Sequence, residues 1–192
     1  MKRYIKSTVS LGDYNHQEVN HYLKDRQCPM WVLEELAKSD DYNIRAKVAR
    51  HSKCPEELLC ELSNDDSAEV REGVAWNSKT PSWVLTYLAD DDDWYVRSGA
   101  AINRNTLPEI LADLENDTHL VSRYVAENPN TPVDVVVRLA SHPEFDVRHN
   151  ASENPNLPMV ILKQLCNDPN YTVAYCAKLN YERRIKQGES SK

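Results

Sequence analysis

The sequence predicts an all-α fold, a right-handed α-solenoid (superhelix) of about six two-helix repeats of 26 residues with a cap at each end. The first observation is a residue that returns at a nearly fixed interval, and the second is a set of apolar residues in helical spacing ahead of it. Only one Phe and four Gly occur, while Leu, Val and Ala set the period, which favours a helical core over strands. Such a period indicates repeats that bury their apolar faces only by stacking on one another. The returning positions are His51, Asn77, Asn103, Asn128, Asn154 and Asn180, separated by 26, 26, 25, 26 and 26 residues.

The repeat register is unbroken over residues 28–180, which leaves no room for a linker. We therefore expect residues 1–192 to form a single solenoid domain. Residues 1–27 hold a weak copy of the pattern and are expected to form an N-terminal cap, because a terminal repeat lacks a neighbour on one side. Residues 181–192 are expected to form a C-terminal cap and tail.

The first helix of each repeat is predicted to begin at a Pro. In Thr80-Pro81 and Thr131-Pro132 the hydroxyl is expected to cap free N–H groups, and the Pro is expected at the first helical position, where no N–H is needed. Apolar residues follow in i, i+1, i+4 spacing, which places them on one face of a helix. The predicted core residues of the first helices are Val32, Leu33, Leu36, Leu58, Leu59, Leu62, Val84, Leu85, Leu88, Ile110, Leu111, Leu114, Val135, Val136, Leu139, Ile161, Leu162 and Leu165.

The second helix of each repeat follows a short acidic turn, whose carboxylates suit the positive end of a helix. Its inward face is predicted to hold the residue before a recurring Arg and the residues three and four positions after it. Lys178 breaks this stripe in the last copy, which marks the end of the array because a buried ammonium is unfavourable. The recurring Asn is expected to end the helix in the left-handed conformation, and a column of Asn can also hydrogen-bond between repeats. The predicted core residues are Ile44, Val48, Ala49, Val70, Val74, Ala75, Val96, Ala100, Ala101, Val121, Val125, Ala126, Val147, Ala151, Ser152, Val173 and Ala177.

The order Asn-Pro-Asn-Thr-Pro, Leu-rich helix, Asp and Val-Arg resembles the leucine-rich repeat variant and short HEAT-like α-solenoid repeat families across residues 28–180. The resemblance implies a binding scaffold, because such families bind unrelated partners. It also implies a ladder in which a turn Asp pairs with a second-helix Arg of a neighbouring repeat. The fourth repeat is one residue short, so a local bend or an interrupted ladder is expected there. The matching positions are Asp65, Asp91, Asp117 and Asp168 with Arg45, Arg71, Arg97 and Arg148, and the departures are Ser39 and His142 in the Asp column and Ser122 and Ala174 in the Arg column.

The resemblance does not extend to a cofactor. Some leucine-rich repeat variants carry an iron–sulfur cluster at the N-terminus, which needs clustered cysteine thiolates. Cys28 is the only cysteine before residue 54, so we expect no cluster.

The formal net charge is −7, and basic residues gather at both ends, so the repeat body is more acidic than the whole chain. An acidic body repels phosphate backbones, which argues against nucleic-acid binding and favours either a basic protein partner or simple solubility. Five cysteines without framework spacing suggest a reducing compartment. No apolar stretch follows the basic start or reaches the length of a membrane span, so we expect a cytoplasmic protein without a membrane segment.

The sequence carries no motif of an enzyme. The six His residues include no pair in metalloprotease spacing, and neither a phosphate-binding Gly loop nor a nucleophile elbow occurs. The run from Asp90 to Asp93 offers carboxylates to a hard cation, but it lacks the spacing and the Gly of a calcium loop, and capping of the next helix explains it as well. We expect no catalytic residue, cofactor or metal site.

Aromatic side chains are the one excess that the repeat does not require. Trp31 and Trp83 share a column on the first helices, and Trp76 and Tyr95 occupy second-helix columns that hold polar residues in other repeats. Trp94 belongs to a further column, which either packs over the turn as core or contacts a partner. The members of that column are Tyr42, Ala68, Trp94, His119, Phe145 and Tyr171.

These features predict a non-enzymatic scaffold that binds another protein through its curved helical surface. A basic or amphipathic segment is the expected partner, because carboxylates surround the aromatic residues. The rival hypothesis is a nucleic-acid-handling solenoid resembling the HEAT-like alkylpurine DNA glycosylases, in which residues such as Trp94 and Asp93 attend a damaged base. That function needs a basic channel for the phosphates, whereas the Arg column is expected to pair with the Asp column. The candidate partner-binding residues are Trp76, Trp94, Tyr95, Trp31 and Trp83.

Overall fold

The computed structural model describes residues 28–188 together with Val19 and Leu23, so most of the predicted N-terminal cap lies outside the described residues. All regular structure in the described part is helical, and no helix there is both long and apolar enough to cross a lipid bilayer. The helices are α1 (Met30–Leu36), α2 (Tyr42–Ala49), α3 (Glu56–Leu62), α4 (Ala68–Ala75), α5 (Ser82–Leu88), α6 (Trp94–Ile102), α7 (Pro108–Asp113), a 3₁₀-helix (Leu114–Asn116), α8 (His119–Glu127), α9 (Val133–Leu139), α10 (Phe145–Glu153), α11 (Met159–Leu165) and α12 (Tyr171–Lys186).

The chain divides into two compact units, an N-terminal unit of residues 1–80 and a C-terminal unit of residues 81–192. In the N-terminal unit α2 packs against α4, and α1 and α3 pack against these second helices. In the C-terminal unit α6, α8, α10 and α12 pack in succession, and α5, α9 and α11 each pack against the second helix of their own repeat. Each unit is therefore a layer of second helices covered by first helices, which confirms the predicted all-α solenoid. That both units belong to a single domain stays a prediction.

Both predicted apolar stripes form the core. Every predicted core residue is buried except Ile44, Ile110 and Ile161, which are half-buried, and Lys178 is exposed at the predicted end of the second-helix stripe. Small residues let neighbouring second helices approach closely. A Cβ at Gly73 would lie only 3.0 Å from the carbonyl oxygen of Ala46 on the preceding second helix.

The recurring Asn residues do not adopt the left-handed conformation, so that expectation is wrong. Asn128 ends α8 in extended backbone, with φ −68° and ψ 125°, and among the described residues only Gly188 has a positive φ. The Nδ2 atom of Asn128 instead donates to the preceding repeat, to the carbonyl oxygens of Ala101 at 2.7 Å and Asn103 at 2.9 Å. The last carbonyls of a helix have no intrahelical donor, and the buried amide satisfies them. Side chains that reach back in the same way, here called the asparagine ladder, are Asn77, Asn128, Asn154 and Asn180.

The Thr hydroxyls also act on the preceding helix, which corrects their predicted role as caps of the following one. Thr80 Oγ1 donates to the carbonyl oxygen of Val74 at 2.5 Å, and Thr131 Oγ1 donates to that of Val125 at 2.6 Å. The Pro after each Thr lies just before the helix in extended backbone. Among the described first helices, only α7 begins with its Pro, at Pro108. Thr therefore closes one helix, and the fixed φ of Pro directs the chain into the next.

Arg–Asp pairs of the implied ladder form within both units. Arg148 donates through Nε and Nη2 to the two carboxylate oxygens of Asp168, at 2.7 and 3.0 Å. Its Nη1 donates to the carbonyl oxygens of His142 and Pro143 in the turn of its own repeat, at 2.8 and 2.7 Å. Each such Arg therefore ties its own turn to the Asp of the next repeat, and these hydrogen bonds hold the pKa of Asp168 below its ordinary value. The equivalent pairs are Arg45 with Asp65 and Arg97 with Asp117.

The ladder has no charged pair where Ser122 and His142 replace Arg and Asp. Ser122 Oγ lies 3.0 Å from the carbonyl oxygen of Glu115, so it takes over the contact to the turn of its own repeat. Because both charged partners are replaced together, no buried charge is left unpaired. The same repeat is one residue short, and α7 passes directly into the 3₁₀-helix, where Glu115 pairs with Arg138 at 2.6 Å. Of the two alternatives expected for this repeat, the interrupted ladder is thus confirmed.

The last helix continues beyond the repeat register. α12 has 16 residues and extends past Asn180 to Lys186. Arg184 is buried on this extension, and its Nη1 donates to the carbonyl oxygen of Leu157 at 2.8 Å. The predicted C-terminal cap is therefore helical as far as Lys186.

Candidate functional site

The predicted partner-binding aromatic residues are divided between the two units. Trp31 on α1 and Trp76, at the C-terminal end of α4, are exposed in the N-terminal unit. Trp83 on α5 and Tyr95 on α6 are exposed in the C-terminal unit. Trp94, also in the C-terminal unit, is half-buried and packs against the apolar core.

Trp94 and Tyr95 form a stacked pair at the start of α6. Their ring centroids lie 3.6 Å apart with an interplanar angle of 30°. Asp93 Oδ1 caps the helix by accepting a hydrogen bond from the backbone N–H of Tyr95 at 2.8 Å. Trp94 therefore supports an exposed Tyr95 from the core side. The alternative that the Trp94 column packs over the turn as core does not hold for the whole column, because Tyr42, His119, Phe145 and Tyr171 are exposed.

A second pair of aromatic residues lies on α5, and both members are exposed. Trp83 and Tyr87 are 63% and 57% exposed, and their i, i+4 spacing places them on the same face of the helix. Sequence reasoning missed Tyr87, although its column carried the signal. In the other repeats that position holds only polar residues, namely Glu35, Glu61, Asp113, Arg138 and Gln164.

An acidic cleft of about 580 Å³ lies between the turn that follows α5 and helix α7. Asp91 Oδ1 accepts a hydrogen bond from the backbone N–H of Asp93 at 2.9 Å, and the Asp93 carboxylate caps α6, so local hydrogen bonds account for these two carboxylates. Three other carboxylates of the lining are exposed. Thr86 of α5, the residue before Tyr87, also lines the cleft. The exposed carboxylates are Asp90, Asp92 and Asp113.

The lining of the cleft also includes one internal ion pair. Arg97 donates through Nε to Asp117 Oδ2 at 2.6 Å and through Nη2 to Oδ1 at 2.9 Å. Burial raises the pKa of Asp117, but the hydrogen bonds from Arg97 and Thr118 outweigh burial, so its pKa lies below the ordinary value of 3.8. Both members of the pair are charged at neutral pH and compensate one another. The exposed negative charge of the cleft therefore comes from Asp90, Asp92 and Asp113, and Asp91 adds a half-buried carboxylate.

One group of potential metal ligands comes together in the described part of the chain. His149 and Glu153 on α10 and Cys176 on α12 each offer a ligand atom, and these atoms lie within 4.8 Å of one another. Sequence reasoning did not find this group, because its members come from two helices. Cys28 and Cys54 are buried, and Cys54, Cys60, Cys166 and Cys176 are free thiols.

Comparisons with known proteins identify the fold. No protein-family model matches the chain, and no curated protein matches it. A solved leucine-rich repeat variant with a novel repetitive structural motif aligns with a TM-score of 0.50 and 23% identity, over 88% of this chain and 78% of that one. A designed armadillo repeat protein aligns with a TM-score of 0.42 and 16% identity, over 88% of this chain and 99% of that one. The fold is therefore that of a helical repeat solenoid, similar to the leucine-rich repeat variant that the Asn-Pro-Asn-Thr-Pro and Val-Arg pattern predicted.

Proposed function

We propose that the chain is a non-enzymatic scaffold that binds a basic segment of another protein in its C-terminal unit. The observation that carries the proposal is the acidic cleft, whose wall is shared with the helix that exposes Trp83 and Tyr87. A Lys or Arg side chain placed in the cleft meets three exposed carboxylates. Its neighbours in the bound segment can pack on the two rings.

The physical basis is the combination of negative charge and aromatic surface. A cation over the face of Trp or Tyr is attracted by the ring quadrupole, and Trp and Tyr are frequent anchors of protein interfaces. A cleft of about 580 Å³ is large enough for more than one side chain. Charge complementarity also raises the rate at which oppositely charged partners meet.

The fold does not need these residues. In the following repeat the positions equivalent to Trp83 and Tyr87 are Glu109 and Asp113, and the helix forms there as well. Asp90 and Asp92 are exposed and extend the acidic turn beyond the capping pair Asp91 and Asp93. Neighbouring exposed rings that stability does not require, such as Trp83 and Tyr87, favour contact with a partner.

The residues that suggested the rival nucleic-acid function have structural roles instead. Trp94 packs against the core, and Asp93 caps α6, so both have structural roles. Arg97, Arg45 and Arg148 are paired with Asp residues, which leaves them compensated rather than available to phosphates. We therefore favour a protein partner of basic character.

Binding of fluorescein-labelled peptides, followed by fluorescence anisotropy, tests the proposal. The panel contains Lys- and Arg-rich amphipathic 15-residue peptides, matched peptides with Glu in place of the basic residues, and a short DNA duplex. We expect basic peptides to bind with an affinity that falls as salt is added, and the acidic peptides and the DNA to bind at least tenfold more weakly. Failure of every basic peptide to bind, or preferential binding of DNA, would contradict the proposal.

Variants locate the surface. Combined Asp90→Asn, Asp92→Asn and Asp113→Asn, or Trp83→Ala with Tyr87→Ala, should weaken binding at least tenfold, which is about 1.4 kcal/mol. A matched control removes the same charge elsewhere in the C-terminal unit, with Glu127→Gln, Glu144→Gln and Glu182→Gln, and should bind within twofold of the wild type. Trp31→Ala with Trp76→Ala tests the N-terminal unit, and a loss confined to that variant would move the site there.

A further inference from the structure

We infer that His149, Glu153 and Cys176 form a binding site for a single Zn²⁺ ion between α10 and α12. The three ligand atoms lie within 4.8 Å of one another. Zinc bonds of about 2.0–2.3 Å in a tetrahedron place ligand atoms roughly 3.3–3.8 Å apart. Side-chain rotations that move each atom by about 1 Å therefore suffice to close the site around the ion.

The repeat geometry explains why these side chains meet. Cys176 occupies the same column as Asn150, whose Nδ2 lies 3.4 Å from Glu127 Oε2 on the preceding second helix. Glu153 is the equivalent of Glu127 one repeat later. Cys176 and Glu153 are therefore neighbours at the positions of the repeat that correspond to Asn150 and Glu127. His149 stands one helical turn before Glu153, on the same face of α10.

The imidazole of His149 has an unsatisfied atom at this interface. Its Nδ1 is buried and has no hydrogen-bond partner among the described residues. Buried polar atoms without a partner are unfavourable and need an explanation such as a bound ion or water. In the proposed site Nδ1 is the ligand atom of His149, so the metal ion supplies the partner that this buried atom lacks.

The donor set selects the metal. One sulfur, one nitrogen and one oxygen suit a borderline ion such as Zn²⁺, whereas Ca²⁺ and Mg²⁺ need several oxygen ligands. A thiolate and a carboxylate balance the two positive charges of zinc. The adjoining cleft also contains Arg183, which donates a hydrogen bond to Asn180 Oδ1 at 2.6 Å. That cleft, of about 360 Å³, is lined by Glu153 and Cys176 and leaves room for water at the fourth coordination position.

Titration calorimetry with ZnCl₂ tests the site, using tag-free protein that has been reduced and freed of metal with a chelator. We expect one ion per chain and a higher melting temperature in the presence of zinc. Cys176→Ser and His149→Ala should each weaken zinc binding at least tenfold. Cys166→Ser and His142→Ala change the same residue types away from the three ligands, and zinc binding should stay within twofold of the wild type.

Substitution with Co²⁺ provides an independent readout. Thiolate ligation gives Co²⁺ a charge-transfer absorption in the near ultraviolet, which should disappear in Cys176→Ser and persist in Cys166→Ser. If one of the variants at half-buried His149 or Cys176 does not fold, Glu153→Gln provides the same calorimetric test at an exposed position. The absence of stoichiometric zinc binding, or equal affinity in the ligand variants and their controls, would overturn the proposal.

Discussion

Asn154 donates its side-chain amide to the backbone carbonyl oxygen of Asn128, the equivalent residue of the preceding repeat, over 2.9 Å. The same amide donates to the carbonyl oxygen of Ala126 at 2.7 Å, and both Asn residues are buried. One side chain thus satisfies two carbonyls at the end of another helix. The nearly constant interval between Asn residues is explained by this bond, because a shifted Asn would leave buried carbonyls without donors.

Asn128→Asp tests the asparagine ladder. The substitution replaces an amide donor with a carboxylate that faces the carbonyl oxygens of Ala101 and Asn103. We expect a loss of about 2–4 kcal/mol in the free energy of unfolding at neutral pH, measured by urea denaturation. Asn130→Asp is the matched control, because Asn130 also donates to a carbonyl but is exposed, and it should lose less.

The same variant has a predicted pH dependence. Burial and the two carbonyl oxygens raise the folded-state pKa of the introduced carboxyl above its unfolded value of about 3.9. Its protonated form is therefore tolerated below that value, and stability is lost as the pH rises through the raised folded-state pKa. A loss of stability that is independent of pH would contradict this explanation.

Asp168→Ala tests the Arg–Asp ladder. The change leaves the mostly buried guanidinium of Arg148 with only its bonds to the turn carbonyls. We expect a loss of about 1–3 kcal/mol in the free energy of unfolding at neutral pH. Asp134→Ala removes a carboxylate of an exposed i, i+4 pair with Arg138 and should leave the melting temperature unchanged.

Acid should abolish the difference between Asp168→Ala and the wild type. The folded-state pKa of Asp168 lies below its ordinary value of 3.8, so the carboxylate stabilises the fold above about that pH. This contribution is lost as the pH falls below 3.8 and through the lower folded-state pKa. The difference in melting temperature should therefore shrink as the pH falls below 3.8, and a difference that does not decrease with pH would exclude the ion pair as the cause.

Leu88→Ala tests the predicted first-helix core. Leu88 is fully buried in α5, and its truncation should cost about 2–5 kcal/mol in the free energy of unfolding. Thr86→Ala on the exposed face of the same helix serves as the control. Denaturation followed by circular dichroism compares the two, and an unchanged Leu88 variant would show that the stripe is assigned to the wrong face.

Thiol labelling tests the burial of Cys54. Cys54 is fully buried, and burial raises the pKa of its thiol to about 12. We expect Cys54 to resist iodoacetamide at pH 8 until the protein is unfolded, while half-buried Cys60 reacts faster, as followed by mass spectrometry of the peptides. Equal labelling rates in the native protein would contradict the placement of Cys54.

The fold could be predicted from the sequence because buried positions hold apolar residues at a regular interval along the chain. Leu85 is fully buried, and its equivalent in every other repeat is a buried Leu or Val, so the register follows directly. The role of Thr131 could not be predicted, because a Thr before a Pro can serve either the helix behind it or the helix ahead of it. Only the backbone positions show that its hydroxyl reaches Val125.

The candidate sites were harder to predict than the fold. Tyr95 was found because its column is polar in most other repeats, and Tyr87 satisfies the same criterion. The zinc site depends on a contact between α10 and α12, and spacing within one helix carries no information about a ligand on the next. Such a group becomes visible only when His149 and Cys176 are placed in the three-dimensional register of the repeat.

The replacement of Arg and Asp by Ser122 and His142 makes the α8–α10 interface different from its neighbour. Asn154 and Asn156 hold that interface through neutral amide bonds, whereas α10–α12 also depends on Arg148 and Asp168. Acid protonates the Asp168 carboxylate, whereas the amide–carbonyl bonds do not titrate between neutral and acid pH. Falling pH therefore loosens α10–α12 relative to α8–α10, so the order in which these helices separate depends on the solution as well as on the chain.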